Sequence, residues 1–230
     1  MTEPNIIYTI AVWLIPLVFA IVFHEVAHGW VARALGDQTA ARLGRLTLNP
    51  IRHVDPIGTV ILPMVLAVAH APIFGWAKPV PVNYKWLRNP RRDMVLVALA
   101  GPGSNLVLAL IAAIALAGVL ALGGGVIPAG QVTRFLFDNL QNFMLINVFL
   151  AVFNLIPLPP FDGGHVVEGM LPRALVPGWL RIGRFGFPLL IFLLLVLPMI
   201  VPGADIVARV IGPIASAVID AILALVGLGR

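Results

Sequence analysis

Apolar positions in this chain come in long unbroken runs rather than in the one-sided stripes of a water-soluble helix. The first run covers residues 6–36 and is interrupted in its second half by His24, Glu25 and His28. Residues 94–122 form a second, closed by Gly123, Gly124 and Gly125. Residues 135–156 form a third, ended by Pro157, Pro159 and Pro160, and 185–201 and 205–228 complete the set. Each approaches or exceeds the roughly 20 residues that a helix needs to cross a hydrocarbon core. A shorter run, 57–74, carries Pro63, His70 and Pro72, and a Pro-rich stretch follows over 75–89. The pattern predicts an all-α polytopic membrane protein with about five transmembrane helices. One re-entrant or membrane-surface segment and a short extended Pro-rich stretch accompany them.

Loop charges decide the topology. Arg42, Arg45 and Arg52 precede the 57–74 run, Lys78, Lys85, Arg88, Arg91 and Arg92 follow it, and Arg173, Arg181 and Arg184 lie in the connector after Pro160. If 57–74 crossed the bilayer, one basic loop would lie outside, against the positive-inside bias. If it re-enters and leaves on one side, all three basic loops become cytoplasmic. The ends of the 6–36 and 135–156 runs then reach the same face and can share a ligand.

Composition sharpens this reading. The 230 residues are 60% hydrophobic and only 11% charged, against about 25% charged in soluble domains, which excludes a water-exposed globule. The formal charge of +5 invites a nucleic-acid reading, but loop topology accounts for it and no nucleic-acid partner is expected. With no Cys, disulfides, Cys-ligated zinc and a Cys nucleophile are excluded. The stretch from Met1 to Asn5 has an acid and no base, unlike the basic start of a cleaved signal peptide.

His24-Glu25-Val26-Ala27-His28 is an HExxH motif. Its two imidazoles, at i and i+4 on one helix face, can bind one zinc. Glu25, rotated by about 100 degrees, is placed to act as general base toward water. The bland alternative, polar residues hydrogen-bonded inside a bundle, must bear the cost of three ionisable groups within a span.

A catalytic zinc takes three protein ligands and leaves one position open. Asp162 is the strongest third candidate, because three prolines stop the preceding helix and Gly163 and Gly164 allow close approach around the carboxylate. Asp55, in a polar turn, and His165, equally suited to holding Asp162, are the rivals.

Phe23 to Gly29 and Asn154 to Gly163 resemble the two defining motifs of the site-2 protease family, peptidase M50: HExxH in a span and a distant NxxPxxxxDG. Gly101-Pro102-Gly103-Ser104-Asn105 resembles the family's intervening GxxxN motif, and Gly75 to Asn83 is similar to a segment of its compact members. The resemblance runs in order from about Ile6 to His165. It implies an intramembrane zinc metalloprotease with one Zn2+ per chain on His24, His28 and Asp162, and Glu25 activating water. It implies regulated proteolysis of transmembrane segments of substrate proteins within the lipid bilayer. The expected setting is the plasma membrane, with the active site toward the cytoplasm. The pattern lacks a PDZ-like insert and a nucleotide-sensing domain. The chain then reads as one peptidase domain, 1–230, with a catalytic core over 6–165 and C-terminal helices over 185–228.

Asn105 and Asn154 are candidate donors to the tetrahedral oxyanion, since an intramembrane amide is costly unless paired. For Asn105, close helix packing on Gly101 with one interhelical hydrogen bond weighs equally. Residues 78–83 could present extended backbone to an unwound substrate, although a plain surface connector accounts for them as well. Two other functions remain in view. A divalent-metal transporter would use the same residues as an ion path, and a catalytically silent scaffold would have no need of Glu25.

Overall fold

The computed structural model describes residues 5–68, 75–127, 130–201, 205 and 207–229. His70 and Pro72 lie outside them. Ten α-helices follow in chain order among the described residues: α1 (Ile6–Ala34), α2 (Thr39–Arg42), α3 (Leu62–Val68), α4 (Pro90–Leu122), α5 (Gln131–Asn154), α6 (Asp162–Met170), α7 (Val176–Gly183), α8 (Gly186–Ile191), α9 (Leu197–Ile200) and α10 (Gly212–Leu225). No strand occurs among the described residues, and the architecture is that of an all-α polytopic membrane protein.

Four helical runs among the described residues are long and apolar enough to cross a membrane: Ile6–Ala34, Pro90–Leu122, Gln131–Asn154 and Val207–Leu225. The expected span over 185–201 is a helical path of different make. It runs through α8, a π-turn at Phe192–Val196 and α9. At 1.5 Å per residue its length is roughly 22 Å, short of a hydrocarbon core of about 30 Å. Pro188 and Pro198, which lack an N–H, punctuate it. The described part of the 57–74 run is a π-turn at Pro56–Ile61 leading into α3.

Helix directions follow from side-chain pairs. His24 meets Asn105 and His28 meets the Val97 carbonyl, so α1 and α4 run antiparallel. Tyr8 donates to Asp138 at 2.7 Å and Asn142 to the Val12 carbonyl at 2.8 Å, so α1 and α5 run parallel. The chain between α1 and α4 therefore leaves and returns at one end of the bundle, and α5 ends there too. This is the arrangement that the loop charges demand.

Small side chains let these helices approach. Ala98, Gly101, Ala109, Ala112 and Ala113 are buried on α4, where Met144 and Val148 of α5 and Ala215 and Ile222 of α10 close the core. Two fully buried amides stitch the interior: Asn105 donates to Asn147 at 2.7 Å, and Asn147 to the Phe143 carbonyl at 2.7 Å. Outward, Trp13, Leu14, Val107, Ile111 and Ile114 are each more than half exposed. In water such a surface would aggregate; in lipid it is solvated.

Candidate active site

His24 and His28 project from one face of α1, both buried, with their Nε2 atoms 3.1 Å apart. Their other nitrogens determine the tautomers. His28 Nδ1 lies 2.7 Å from the Val97 carbonyl oxygen, which can only accept, so Nδ1 carries the proton. His24 Nδ1 lies 2.6 Å from Asn105 Oδ1. The Asn105 amide nitrogen donates to Ala20 O at 3.2 Å and to Asn147 Oδ1 at 2.7 Å, an orientation that makes its oxygen the acceptor for His24. Both Nε2 atoms therefore present lone pairs to the same point.

Asp162 is brought to the same point by the chain that follows α5. Past α5 the chain turns through Pro157, Pro159 and Pro160, and Asp162 opens α6 with its Oδ2 3.2 Å from His24 Nε2 and 3.4 Å from His28 Nε2. Asp162 Oδ2 is buried and receives no hydrogen bond. Three acceptor atoms facing one another in a low-dielectric interior repel unless a cation lies among them. A tetrahedral zinc with ligand bonds of 2.0–2.2 Å would space its ligands by roughly 3.3 Å, close to the spacing observed. The trio fits a zinc ion, and it is the group of potential metal ligands among the described residues.

Gly101 of α4 lies under both imidazoles. A Cβ there would collide with the His28 and His24 rings, which explains a glycine where the helix would favour alanine.

Glu25 is half-buried beside the trio, and its Oε2 accepts the Val80 N–H at 2.7 Å. Val80 belongs to the extended Pro-rich stretch, which is tied down at both ends. Lys78 N–H donates to His53 O at 2.8 Å, and Arg45 donates to Lys78 O at 2.8 Å and to Pro79 O at 3.3 Å. Asn83 N–H donates to Asp37 Oδ2 at 2.6 Å. These bonds anchor the stretch to the site, while the Val82 N–H and the carbonyls of Val80, Pro81 and Val82 have no hydrogen-bond partner among the described residues. Burial pushes the Asp37 carboxyl up, but hydrogen bonds from Thr39 and Asn83 and the charge of Arg42 outweigh it and hold the group below its ordinary value.

Asp55, His165, His53 and Asn154 find their partners outside the trio, whereas Asn105 touches it through His24. Asp55 caps the π-turn, accepting from Ile57 N–H at 3.0 Å and Gly58 N–H at 2.7 Å. His165 pairs with Glu168 at 3.5 Å, and buried His53 contacts Thr47 O through Nε2 at 2.9 Å. Asn154 donates to Leu150 O at 3.0 Å in its own helix and keeps one amide hydrogen. Asn105 keeps none, because both are spent on Ala20 and Asn147. Sequence reasoning missed Arg45 and Asp37, whose signal is a glycine immediately before each charge, at Gly44 and Gly36.

Residues 116–197 match the model of peptidase family M50. Over 182 residues the chain is 40% identical to a Bacillus subtilis protein named "Putative zinc metalloprotease YwhC", covering 79% of this chain and 78% of that protein. The chain belongs to peptidase family M50. Proteins of Mycolicibacterium smegmatis and Mycobacterium tuberculosis, each named "Putative zinc metalloprotease Rip2", are 32% and 34% identical. These matches cover 82% and 74% of this chain and 67% and 61% of those proteins. No solved structure matches. This M50 chain is thus an integral membrane enzyme of the site-2-protease-like metalloprotease type. The zinc in its relatives' names agrees with the donor set of His24, His28 and Asp162.

Proposed function

We propose that this M50 member is an intramembrane zinc metalloprotease, a single peptidase domain over 1–230 that hydrolyses peptide bonds in or near transmembrane segments of other membrane proteins. His24, His28 and Asp162 would hold one zinc ion per chain. The observation that carries the reading is the meeting of three hydrogen-free acceptor atoms 3.1–3.4 Å apart beside a carboxylate they do not use, Glu25. In such a site zinc supplies Lewis acidity, the means by which water becomes nucleophilic near neutral pH.

The chain's own residues do the rest. Glu25 takes a proton from the attacking water and delivers it to the departing amine, with one oxygen already held by Val80. Asn105 orients His24. Asn154 retains an amide hydrogen suited to developing negative charge on the substrate carbonyl. A helical substrate hides its carbonyls in i→i−4 hydrogen bonds and must unwind locally before attack.

Position supports an intramembrane reaction. His28 lies six residues from the end of α1, roughly 9 Å along the axis, so the site is within the span and nearer the basic loops. Basic loops favour the cytoplasmic side, which supports a site facing the cytoplasm, and the membrane of this reading is the plasma membrane. The test is co-expression with a tagged single-span substrate, comparing wild type with Glu25→Gln. The expected result is cleavage by wild type only, with zinc retained in both. Equal cleavage by Glu25→Gln, or purified protein without zinc, overturns the reading. Zinc uptake into vesicles that persists in the variant would point to transport instead.

A further inference from the structure

Arg45 is a buried cation without an anionic partner: it is 9% exposed, and none of the ion pairs among the described residues includes it. Burying a guanidinium is expensive, and replacing it with an apolar residue would ordinarily cost nothing or help. Its placement is nonetheless specific. α2 ends in a Schellman motif, with Gly44 at φ 62°, Gly44 N–H on Ala41 O at 3.0 Å and Arg45 N–H on Ala40 O at 2.9 Å. That turn aims Arg45 inward, where its Nη2 donates to the carbonyls of Lys78 and Pro79 at 2.8 and 3.3 Å.

The Pro79 carbonyl and the Val80 N–H belong to one peptide group. The cation therefore sits on the oxygen end of the same amide whose hydrogen end binds Glu25 Oε2 at 2.7 Å. Drawing electron density toward the carbonyl makes the N–H a stronger donor, so the two contacts reinforce each other. They also fix the peptide plane, and with it the carboxylate. Val80 is buried, and its side chain lies where a Cβ on Gly29 would collide, so this part of the stretch lies flat against α1.

We propose that Arg45 is a positioning residue for Glu25: through the Pro79–Val80 peptide it holds the carboxylate in the orientation needed for proton transfer. This rests on the reading of Glu25 as general base, and the experiment separates the two. Purified Arg45→Gln and Arg45→Lys are compared with wild type in three measurements: zinc content, hydrogen exchange of the peptide covering residues 77–82, and kcat and KM on a single-span substrate that wild type cleaves. Pro79 and Pro81 carry no N–H, so the amides of that peptide are those of Ala77, Lys78, Val80 and Val82, of which Lys78 and Val80 are hydrogen-bonded and report the loss of protection.

For Arg45→Gln the expected result is unchanged zinc, at least tenfold faster exchange over 77–82 with α1 peptides unaffected, and a kcat lowered roughly ten- to hundredfold at similar KM. Arg45→Lys, which keeps the charge but not the two-carbonyl reach, falls between, and it carries the test alone if Arg45→Gln does not fold. Unchanged exchange, or lost exchange protection with wild-type kcat, overturns the proposal. A rise in KM alone does so as well. If Glu25→Gln cleaves like wild type, the general-base reading fails by itself, and with it the function assigned to Arg45.

Discussion

His24 Nδ1 and Asn105 Oδ1 lie 2.6 Å apart, joining α1 to α4 where the asparagine is wholly buried. The asparagine cannot turn away, because its amide hydrogens are engaged by Ala20 and Asn147. It therefore dictates which nitrogen of His24 is free to bind metal. Asn105→Ala removes this constraint and leaves three buried partners short of a bond. Partners of this kind are worth ten- to a hundredfold in metal affinity, so zinc affinity should fall by about that factor in chelator competition. An affinity equal to wild type would mean that Asn105 only packs the bundle.

Gly101 offers a sharper probe of the same site. Gly101→Ala adds one methyl group against both imidazoles, whereas a Cβ at Gly103, on the same helix, meets nothing within 4 Å. Gly101→Ala should lose zinc and activity with the HExxH motif intact. Gly103→Ala should keep both and gain up to about 1 kcal/mol of helix stability. Zinc analysis and thermal unfolding in detergent distinguish the pair, and equal zinc in both variants would refute the close approach.

The two carboxylates that compete for the third ligand in the sequence separate by metal content. Asp162→Ala should release zinc, because two imidazoles alone leave the ion under-coordinated. Asp55→Ala should retain zinc and lose only a cap, about 1 kcal/mol. Retention by Asp162→Ala would overturn the ligand set.

Much of this was legible beforehand because it depends on local geometry. Helical periodicity alone brings His24 and His28 together, and loop charge alone implies that the chain returns to one face between α1 and α4. Membership in the family was legible from the same motifs. What could not be read is which polar atoms each buried group meets. Asn105 looks equally suited to donate to a substrate or to pack, and only its neighbours Ala20 and Asn147 use up its hydrogens. Arg45 reads as one charge of a basic loop, because loop charge says nothing about which side chain turns inward. The irregular helix within 185–201 is partly visible in Pro188 and Pro198, although proline alone does not say where a π-turn replaces the α-helical ladder.

Asp37 ties stability to pH. At the end of α1, Gly36 at φ 116° and Asp37 N–H on Ala32 O at 2.9 Å complete a second Schellman motif that turns the carboxylate inward. It accepts from Thr39 N–H at 2.9 Å, the Thr39 hydroxyl at 2.5 Å and Asn83 N–H at 2.6 Å. Burial raises its pKa, but these donors and Arg42 lower it further, so the folded value lies below the ordinary 3.8. A depressed folded pKa stabilises the protein fully above the unfolded value, and the contribution disappears as pH falls through the folded one. Asp37→Asn replaces one acceptor oxygen with an NH2 facing N–H or O–H donors, and should cost about 2 kcal/mol at pH 7. The difference in unfolding free energy between wild type and variant, measured on metal-free protein, should stay constant down to about pH 4 and narrow below it. A difference that grows on acidification would have the wrong sign and would remove Asp37 as the clamp on Asn83.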